Sequence, residues 1–365
     1  MASPRSDEAR PGRLTVIEDP GELYPAADHG LADPLPAPCF DHLRRMTDHQ
    51  GLWEHARYAM PRTEHGYCTD DNARALIVIC RQPDPSPDLI ELAAVYLAFI
   101  REAQLPDGSF INRRHSTGSW TQGAGSDDSQ GRALWAAGTA AHQAPEAWMR
   151  EVAGDIFDKS QDFRSPFPRT HAFAMLGSSE VLAASPDHPH ARHVLEQGVG
   201  HLAVHDSVEW PWPEERLAYD NARIPEALIA AGSALFNDRL VDDGLRLLEW
   251  LVATETHDGH FSFAPVGGWA PDEPRPGFDQ QPVEATAMAD ACARAWEVTG
   301  DVRWMERVQL AARWFVGAND SAAVLYDSAT GGCGDGLSAS GFNQNQGAES
   351  TLAALAALQH AAALC

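Results

Sequence analysis

Two kinds of helical segment alternate along this chain, and the alternation limits the fold more than any other feature of the sequence. Segments of the first kind carry one apolar stripe and one charged face, which is typical of helices with one side in water. Segments of the second kind are rich in alanine, glycine and leucine on every side, and each opens with a cluster of polar residues. Because a helix that is apolar all round is a buried helix, we expect the second kind inside and the first kind outside.

Six segments of each kind predict six helical hairpins. The outer helices are predicted over residues 40–49, 88–104, 146–159, 190–205, 237–255 and 302–317. The inner helices are predicted to begin near Asp71, Asp128, Thr170, Asp220, Pro282 and Gly347. We therefore expect an all-α fold, an (α/α)6 toroid, whose inner helices line a funnel with the loops before them around one mouth. An open solenoid is the alternative; closure is favoured because six hairpins are typical of toroids and because these loops are long.

The toroid is expected to form one domain over residues 38–365. Residues 1–37 are rich in proline, aspartate, alanine and glycine with little apolar periodicity, so we expect a flexible N-terminal segment there. The sequence has no apolar run of about 18 residues, the length that spans a bilayer, and its N-terminus lacks the apolar core of a secretory signal. We therefore expect a cytoplasmic protein.

The charge of the chain limits its partners. The net charge is −25, from 27 Lys and Arg against 52 Asp and Glu. Phosphate backbones and anionic lipids bind through basic patches, so we expect no nucleic-acid partner and no membrane partner. The six cysteines show no Cys-x-x-Cys spacing, which argues against a zinc site and a disulfide framework. We expect no metal and no cofactor.

Short sequence motifs repeat at the N-terminal ends of the inner helices. DNAR occurs at residues 71–74 and again at 220–223, and DSQGRAL at 128–134 matches DDNARAL at 70–76 at both ends. QPVEAT at 281–286 matches QGAEST at 346–351. Three inner helices thus place an arginine, and two place a glutamate, about one turn below the mouth. These residues are Arg74, Arg132, Arg223, Glu284 and Glu349.

Carboxylates that face each other across a cavity are the equipment of glycosidic bond cleavage, which needs one protonated acid and one ionised base or nucleophile. The candidate catalytic residues are Asp71, Asp128, Asp220, Glu284 and Glu349. Asp70 and Asp127 double two of these acids, and we expect one member of each pair to cap its helix while the other faces the funnel. The helix dipole lowers the pKa of a carboxyl at an N-terminus, whereas apolar walls raise the pKa of a glutamate one turn below. The aspartates are therefore expected to be ionised and a glutamate to be the acid.

A second set of side chains is expected to bind the sugar. Indole faces stack on the apolar faces of sugar rings, and arginine clamps hydroxyls and carboxylates. The candidate substrate-binding residues are Asp70, Asp127, Arg74, Arg132, Arg223, His171, Trp120, Trp210, Trp212, Tyr219, Gln281 and Gln346, and Trp269 also falls in a mouth loop. The alternative roles are structural: helix capping, capping boxes, loop anchoring and a charge-balanced network that holds the funnel together.

The chain resembles a bacterial six-hairpin, glycosidase-like domain that is often joined to, or encoded beside, glycosyltransferases and mannoside phosphorylases. The resemblance covers residues 66–355 and rests on the motifs GYCTDDNARAL, SDDSQGRALWA, WPWPEERLAYDNARIPEALIAAG, FDQQPVEATAMADAC and NQNQGAESTLAAL. It implies an (α/α)6 toroid and carbohydrate chemistry. More distantly, the architecture is similar to unsaturated glucuronyl hydrolases and N-acylglucosamine epimerases.

These observations favour a glycoside hydrolase that cleaves an oligosaccharide or another glycoside, with mannosides favoured. A non-catalytic sugar-binding or regulatory partner of a glycosyltransferase system is the first alternative, since it needs the tryptophans and arginines but no acid pair. A sugar epimerase or isomerase is the second. It favours paired histidines, whereas only His171 stands at the opening of an inner helix. The chain itself shows no glycosyltransferase domain, because strands do not alternate with helices around a glycine-rich phosphate loop.

Overall fold

Helices make up most of the fold. The structure, a computed structural model, describes residues 34–363, so all but the last four residues of the expected flexible segment 1–37 lie outside it. The helices are α1 Asp41–Arg45, α2 Thr69–Cys80, α3 Pro87–Ala103, α4 Asp127–Gln143, α5 Ala147–Lys159, α6 Pro168–Ala184, α7 Pro189–Val199, α8 Arg223–Ala234, α9 Asp238–Glu255, α10 Pro282–Thr299, α11 Val302–Trp314 and α12 Ala348–Ala363. The expected all-α class is confirmed.

The even-numbered helices form a closed inner ring. Each packs against the next, and α12 packs back against α2. Helices α3, α5, α7, α9 and α11 each lie outside against the inner helix that precedes them, and α1 lies against α12. Arg74 on α2 and Glu349 on α12 approach to 2.7 Å, nitrogen to oxygen, and so join the first and last inner helices. The (α/α)6 toroid is confirmed, and the open solenoid is excluded.

Small residues let the inner helices approach closely. A methyl carbon added to Gly138 on α4 would lie 2.1 Å from the carbonyl oxygen of Gly177 on α6. One added to Gly177 would lie 2.4 Å from the carbonyl oxygen of Leu134. These distances are shorter than any van der Waals contact, so this crossing requires glycine on both helices.

Within residues 34–363, no helix is both long and apolar enough to cross a membrane. The inner helices are apolar because they are buried at the centre of the ring. The charged side chains that lie there pair with one another.

The inner helices begin close to the predicted positions, with one informative exception. The DNAR motif is helical in α2, but its second copy forms a turn, and α8 begins only at Arg223. Asp220 in this turn has a φ of 49°, in the left-handed region. The backbone N–H groups of Asp220 and Asn221 donate to the carboxylate of Glu284 on α10. The prediction of a helix start at Asp220 is therefore wrong by three residues, because a neighbouring helix holds those N–H groups.

The sequence analysis also missed ten short strands, which pair as five antiparallel two-stranded ribbons among residues 34–363. They are β1 Thr47–Asp48 with β2 Gly51–Leu52, β3 Ala56–Arg57 with β4 Met60–Pro61, β5 Tyr67–Cys68 with β6 Arg113–Arg114, β7 Thr256–His257 with β8 His260–Phe261, and β9 Gly336–Ser338 with β10 Gly341–Asn343. The β1–β2 ribbon replaces the second half of the predicted first outer helix, so α1 is shorter than expected. The ribbons fix the long loops at the mouth.

Candidate active site

A cavity of about 480 Å³ lies at the mouth of the ring, beside the N-terminal ends of α2, α4, α10 and α12. Of the side chains selected from the sequence, it is lined by Asp70, Asp71, Arg74, Asp128, Arg132, Tyr219, Gln281 and Glu349. They come from different inner helices and the loops before them, so closure of the ring brings them together.

Asp71 is a buried acid in the wall of this cavity. The Cys68 thiol donates to its Oδ2 at 3.0 Å, and Nη1 of Arg74 donates to its Oδ1 at 2.9 Å. Burial disfavours the charged carboxylate and outweighs Arg74, and the charge of Glu349 adds to the effect, so the pKa of Asp71 rises to about 7. The expectation that the helix dipole lowers this pKa is wrong, because desolvation dominates.

Asp128 is held by two hydroxyl groups. The hydroxyl of Tyr219 donates to Oδ2 at 2.6 Å, and that of Thr170 donates to Oδ1 at 3.3 Å. Burial and the charge of Asp128 raise the pKa of Tyr219, so the phenol keeps its proton and remains a donor. Asp128 therefore has fixed oxygen atoms and no cationic partner among the described side chains.

Helix capping does not explain the doubled acids. The N-cap residue of α2 is Cys68, and the first backbone N–H of the helix donates to Asn112 in a loop. The N-cap residue of α4 is Ser126, whose hydroxyl accepts the capping hydrogen bond. The expectation that one aspartate of each pair caps its helix is therefore wrong. Asp127 also lies outside the cavity lining.

Arg132 connects the cavity to the interior of the ring. Its Nη2 lies 2.8 Å from Oδ2 of Asp220, and its Nε lies 3.6 Å from Oδ1 of Asp70. Its guanidinium lies 4.0 Å from the centre of the Phe173 ring. Burial opposes ionisation of Asp220, but Arg132 and its neighbouring arginines outweigh burial and hold the pKa of Asp220 below its usual range.

Further ion pairs continue down the axis of the ring. Nε of Arg223 donates to Asp220 at 3.2 Å, and Nη1 donates to Asp290 and, at 2.7 Å, to Glu226. Arg81 lies 3.0 Å from Asp290. The structure thus places Asp220 and Arg223 below the mouth cavity, in a buried charge network, and does not bring them to the lining where the sequence analysis expected them.

Glu284 anchors a turn and does not line the cavity. Its carboxylate accepts the backbone N–H groups of Asp220 and Asn221 and the side-chain amide of Asn221. Burial, with the charges of Glu255 and Asp220, raises the pKa of Glu284 to about 8. The direction is the one expected for a glutamate among apolar walls, but the side chain is 2% exposed and holds the start of α8.

The structure does not bring the mouth-loop tryptophans to the cavity: its lining contains none of Trp120, Trp210, Trp212 and Trp269. Trp212 is wholly buried and stacks on Trp250 with 5.9 Å between ring centres. The indole N–H groups of Trp210 and Trp269 donate to backbone oxygens, which ties their loops in place. Trp120 packs 4.8 Å from Phe99. The alternative reading, loop anchoring, is therefore the one that the structure supports.

His171 and Gln346 also lie outside the cavity lining. Nε2 of His171 hydrogen bonds to the carbonyl oxygen of Ser165, and its ring stacks 3.9 Å from that of His201. Burial lowers the pKa of His171. His171 thus has a structural role, held by this hydrogen bond and by ring stacking.

Several lining residues were not selected from the sequence, although some of them lie in the long loops expected around the mouth. Nη2 of Arg113, on β6, donates to Glu54 at 2.8 Å. Asp335 accepts the N–H of Gly347 at 2.7 Å and the hydroxyl of Ser350 at 2.6 Å, which fixes the start of α12. Burial raises the pKa of Asp335. Loop length is the signal that the sequence offers for these residues.

Three lining residues come close enough to suggest a metal site. Glu54, Cys68 and Asp71 each place one ligand atom within 4.8 Å of the other two. Glu54 already pairs with Arg113, and Asp71 with Arg74. A metal ion would have to displace both guanidinium groups, so we assign no metal here, and the absence of a metal stays a prediction.

A larger cavity of about 920 Å³ lies at the other end of the ring, among the C-terminal ends of the inner helices. Its buried acids have cationic partners: Glu180 lies 3.3 Å from Arg294, and Asp290 lies 3.0 Å from Arg81. We place the candidate site at the mouth instead, because the mouth holds Asp128 and Asp335, which have no arginine or lysine partner among residues 34–363.

Comparison with known proteins gives the fold a context. No known family model matches the chain, and no curated protein does. A cellobiose 2-epimerase from Spirochaeta thermophila is similar in structure, with 12% identity, a TM-score of 0.63 and coverage of 89% of this chain and 93% of that one. A D-mannose isomerase is 10% identical, with a TM-score of 0.64 over 89% of this chain and 95% of that one. A metagenome-derived glycoside hydrolase family 9 endoglucanase is 11% identical, with a TM-score of 0.58 over 86% and 70%.

At such identities the likeness shows the fold alone. The expected six-hairpin architecture is therefore confirmed, and the resemblance to one bacterial family stays a prediction. The chain shares its toroid with sugar epimerases, an isomerase and glycoside hydrolases.

Proposed function

We propose that the mouth cavity is the active site of a glycoside hydrolase that uses paired carboxylates. Asp71 carries the proposal, since it is a buried cavity acid whose pKa is raised to about 7. Such a carboxyl holds a proton in a large share of molecules at neutral pH and donates it readily. The buried structural acids Asp220 and Asp290 differ, because arginines hold their pKa values below the usual range despite burial.

Asp71 is assigned as the general acid and Asp128 as the base. Asp71 gives its proton to the glycosidic oxygen as the bond from that oxygen to C1 breaks. The oxygen of a water molecule bonds to C1, and a proton of that water passes to Asp128, so the sum is the addition of water across the bond. Tyr219 holds Asp128 for this role, and burial, aided by the charge of Glu349, keeps the pKa of Asp71 high.

A carbohydrate substrate is supported by the fold and by the cavity. Proteins named as sugar epimerases, a mannose isomerase and cellulases share the toroid. The cavity volume of about 480 Å³ falls in the range of small-molecule sites, about 300–1,000 Å³. The resemblance noted in the sequence favours mannosides. The net charge of −25 argues against nucleic acid and anionic membranes as partners.

A sugar epimerase is the second candidate. His55 lines the cavity, and its ring lies 5.0 Å from that of His65. Histidines can remove and return a proton at carbon near neutral pH. Both rings stand on a loop at the rim and are at least a third exposed. Hydrolysis ranks first because Asp71, a buried acid in the cavity lining, has a pKa raised to about 7.

One experiment separates the candidate functions. The purified protein is incubated with a panel of oligosaccharides, mannosides first, and the products are identified by chromatography and NMR. Hydrolysis releases new reducing ends, whereas epimerisation changes one stereocentre and leaves the chain length unchanged. We expect new reducing ends. Binding without any product would instead support a non-catalytic sugar-binding domain. The absence of both binding and product across the panel would contradict the proposal.

A further inference from the structure

The lining of the mouth cavity is rich in negative charge. Its carboxylates are Glu54, Asp70, Asp71, Asp128, Asp335 and Glu349, and its guanidinium groups are Arg74, Arg113 and Arg132. Six acids against three arginines give a formal charge of −3 with His55 neutral, and −2 when Asp71 holds a proton. An entering ligand therefore meets a negative site in a protein whose net charge is already −25.

The three guanidinium groups are already engaged by the protein itself. The nitrogen-to-oxygen distances are 2.9 Å for Arg74–Asp71, 2.7 Å for Arg74–Glu349, 2.8 Å for Arg113–Glu54 and 2.8 Å for Arg132–Asp220. Tight recognition of a carboxylate or phosphate uses the paired donors of a free guanidinium. An anionic ligand would have to displace a carboxylate of the protein from each of these arginines, which leaves that carboxylate without its partner.

Two of the lining carboxylates have no arginine or lysine within ion-pair distance among residues 34–363. Asp128 accepts from the hydroxyls of Tyr219 and Thr170. Asp335 accepts from the hydroxyl of Ser350 and a backbone N–H. Neutral donors leave the charge of an ionised carboxylate in place, so these two groups attract a cation and repel an anion.

From this charge arrangement we infer that the cavity selects neutral and amino-substituted sugars and rejects uronic acids and sugar phosphates. The inference rests on the proposed function and names the substrate class of the same site. It also disfavours inorganic phosphate as the acceptor of the glycosyl group. Water is therefore the acceptor, and the reaction is hydrolysis rather than phosphorolysis.

A matched set of sugars tests the selection. The probes are the methyl glycosides of mannose, mannosamine, mannuronate and mannose 6-phosphate, together with the corresponding glucose series. Their dissociation constants are measured by calorimetry at low and high salt. We expect the two anionic sugars of a series to bind at least about tenfold more weakly than the neutral one, and the amino sugar to bind at least as tightly. Added salt should narrow these differences, because it screens the charges.

Two variants localise the effect. Asp335→Asn and Asp128→Asn each remove one carboxylate that has no arginine or lysine partner among residues 34–363, and each should reduce the ratio of the mannuronate to the mannose dissociation constant several-fold. Binding alone is measured, because Asp128→Asn also removes the proposed base. A thermal melt shows whether Asp335→Asn disturbs the start of α12. If it does, Asp128→Asn is the variant that tests the inference. Asp243→Asn, on the surface of α9, is the matched control and should leave the discrimination unchanged.

The outcomes separate this inference from the function on which it rests. Anionic sugars that bind as tightly as the neutral sugar overturn the charge selection and leave the sugar site intact. Phosphate-dependent release of a sugar 1-phosphate overturns it as well. Failure of every sugar to bind overturns the proposed function, and the inference with it.

Discussion

At the scale of single residues, a substitution of Asp71 distinguishes a catalytic role of this side chain from a structural one. Asp71→Asn keeps the size of the side chain and removes the proton that the mechanism donates. We expect turnover to fall by at least about 100-fold, the usual contribution of a general acid, with the circular dichroism spectrum unchanged. Asp243→Asn on the outer surface is the control and should turn over normally. A near-normal rate in Asp71→Asn would leave Asp71 as a structural residue only.

The pKa of the same residue predicts how stability depends on pH. The pKa of Asp71 is about 7 in the folded protein against 3.8 for an ordinary aspartate. The contribution of Asp71 to stability is therefore fully present below pH 3.8 and is lost as the pH rises through about 7. Relative to Asp71→Asn, the wild type should lose up to about 1.4 kcal/mol per pH unit across this window. Urea denaturation at several pH values measures the difference, and parallel curves for the two proteins would contradict it.

At the scale of elements, the crossing of α4 and α6 depends on glycine. A methyl group at Gly138 would lie 2.1 Å from the carbonyl oxygen of Gly177, whereas one at Gly154, on the outer helix α5, would meet nothing within 4 Å. We expect Gly138→Ala to destabilise the fold by about 1–3 kcal/mol through overpacking. Gly154→Ala should be neutral or stabilising by up to about 1 kcal/mol, because alanine favours the helix. Equal melting temperatures for the two variants would show that the inner ring is looser than described.

The elements that the sequence predicted best are those with a strong helical period. The inner helices begin within a few residues of their predicted starts because each opens with polar residues before an apolar run. The strands, of two or three residues each, were missed because so short a ribbon has no periodicity of its own. The turn at Asp220 was missed because Glu284, distant in sequence, holds its backbone N–H groups.

At the scale of the whole molecule, the closed ring brings a buried charge network onto its axis. Asp290 pairs there with Arg223 and Arg81, and is 3% exposed. Asp290→Asn leaves the buried Arg223 and the half-buried Arg81 without this partner, so we expect a loss of about 3–5 kcal/mol in the free energy of unfolding. Asp243→Asn, in a surface pair, should cost less than about 1 kcal/mol. Similar small losses for both variants, measured by denaturant unfolding, would contradict a stabilising role for the network.

The ring also explains which parts of the site the sequence predicted. Acids and arginines that repeat at helix openings converge when the helices close, so Asp71, Arg74 and Glu349 were correctly placed together at the mouth. Whether an acid such as Glu284 faces the cavity or the layer beneath it depends on the rotation of its helix. The repeated sequence motifs do not encode that rotation. The tryptophans were placed at the mouth from loop position alone, yet Trp212 and Trp269 are buried, and Trp120 and Trp210 are half-buried against the core.

In the proposed mechanism, Asp71 is a proton donor within a sugar-binding cavity. Carbon-13 NMR of aspartate carboxyl groups tests it most directly, with Asp71→Asn to assign the signal. We predict a carboxyl that titrates with a midpoint near pH 7, is absent from the variant and shifts when a sugar of the preferred class is added. An Asp71 signal that titrates near pH 4, or that is unmoved by every sugar shown to bind, would contradict this role of Asp71.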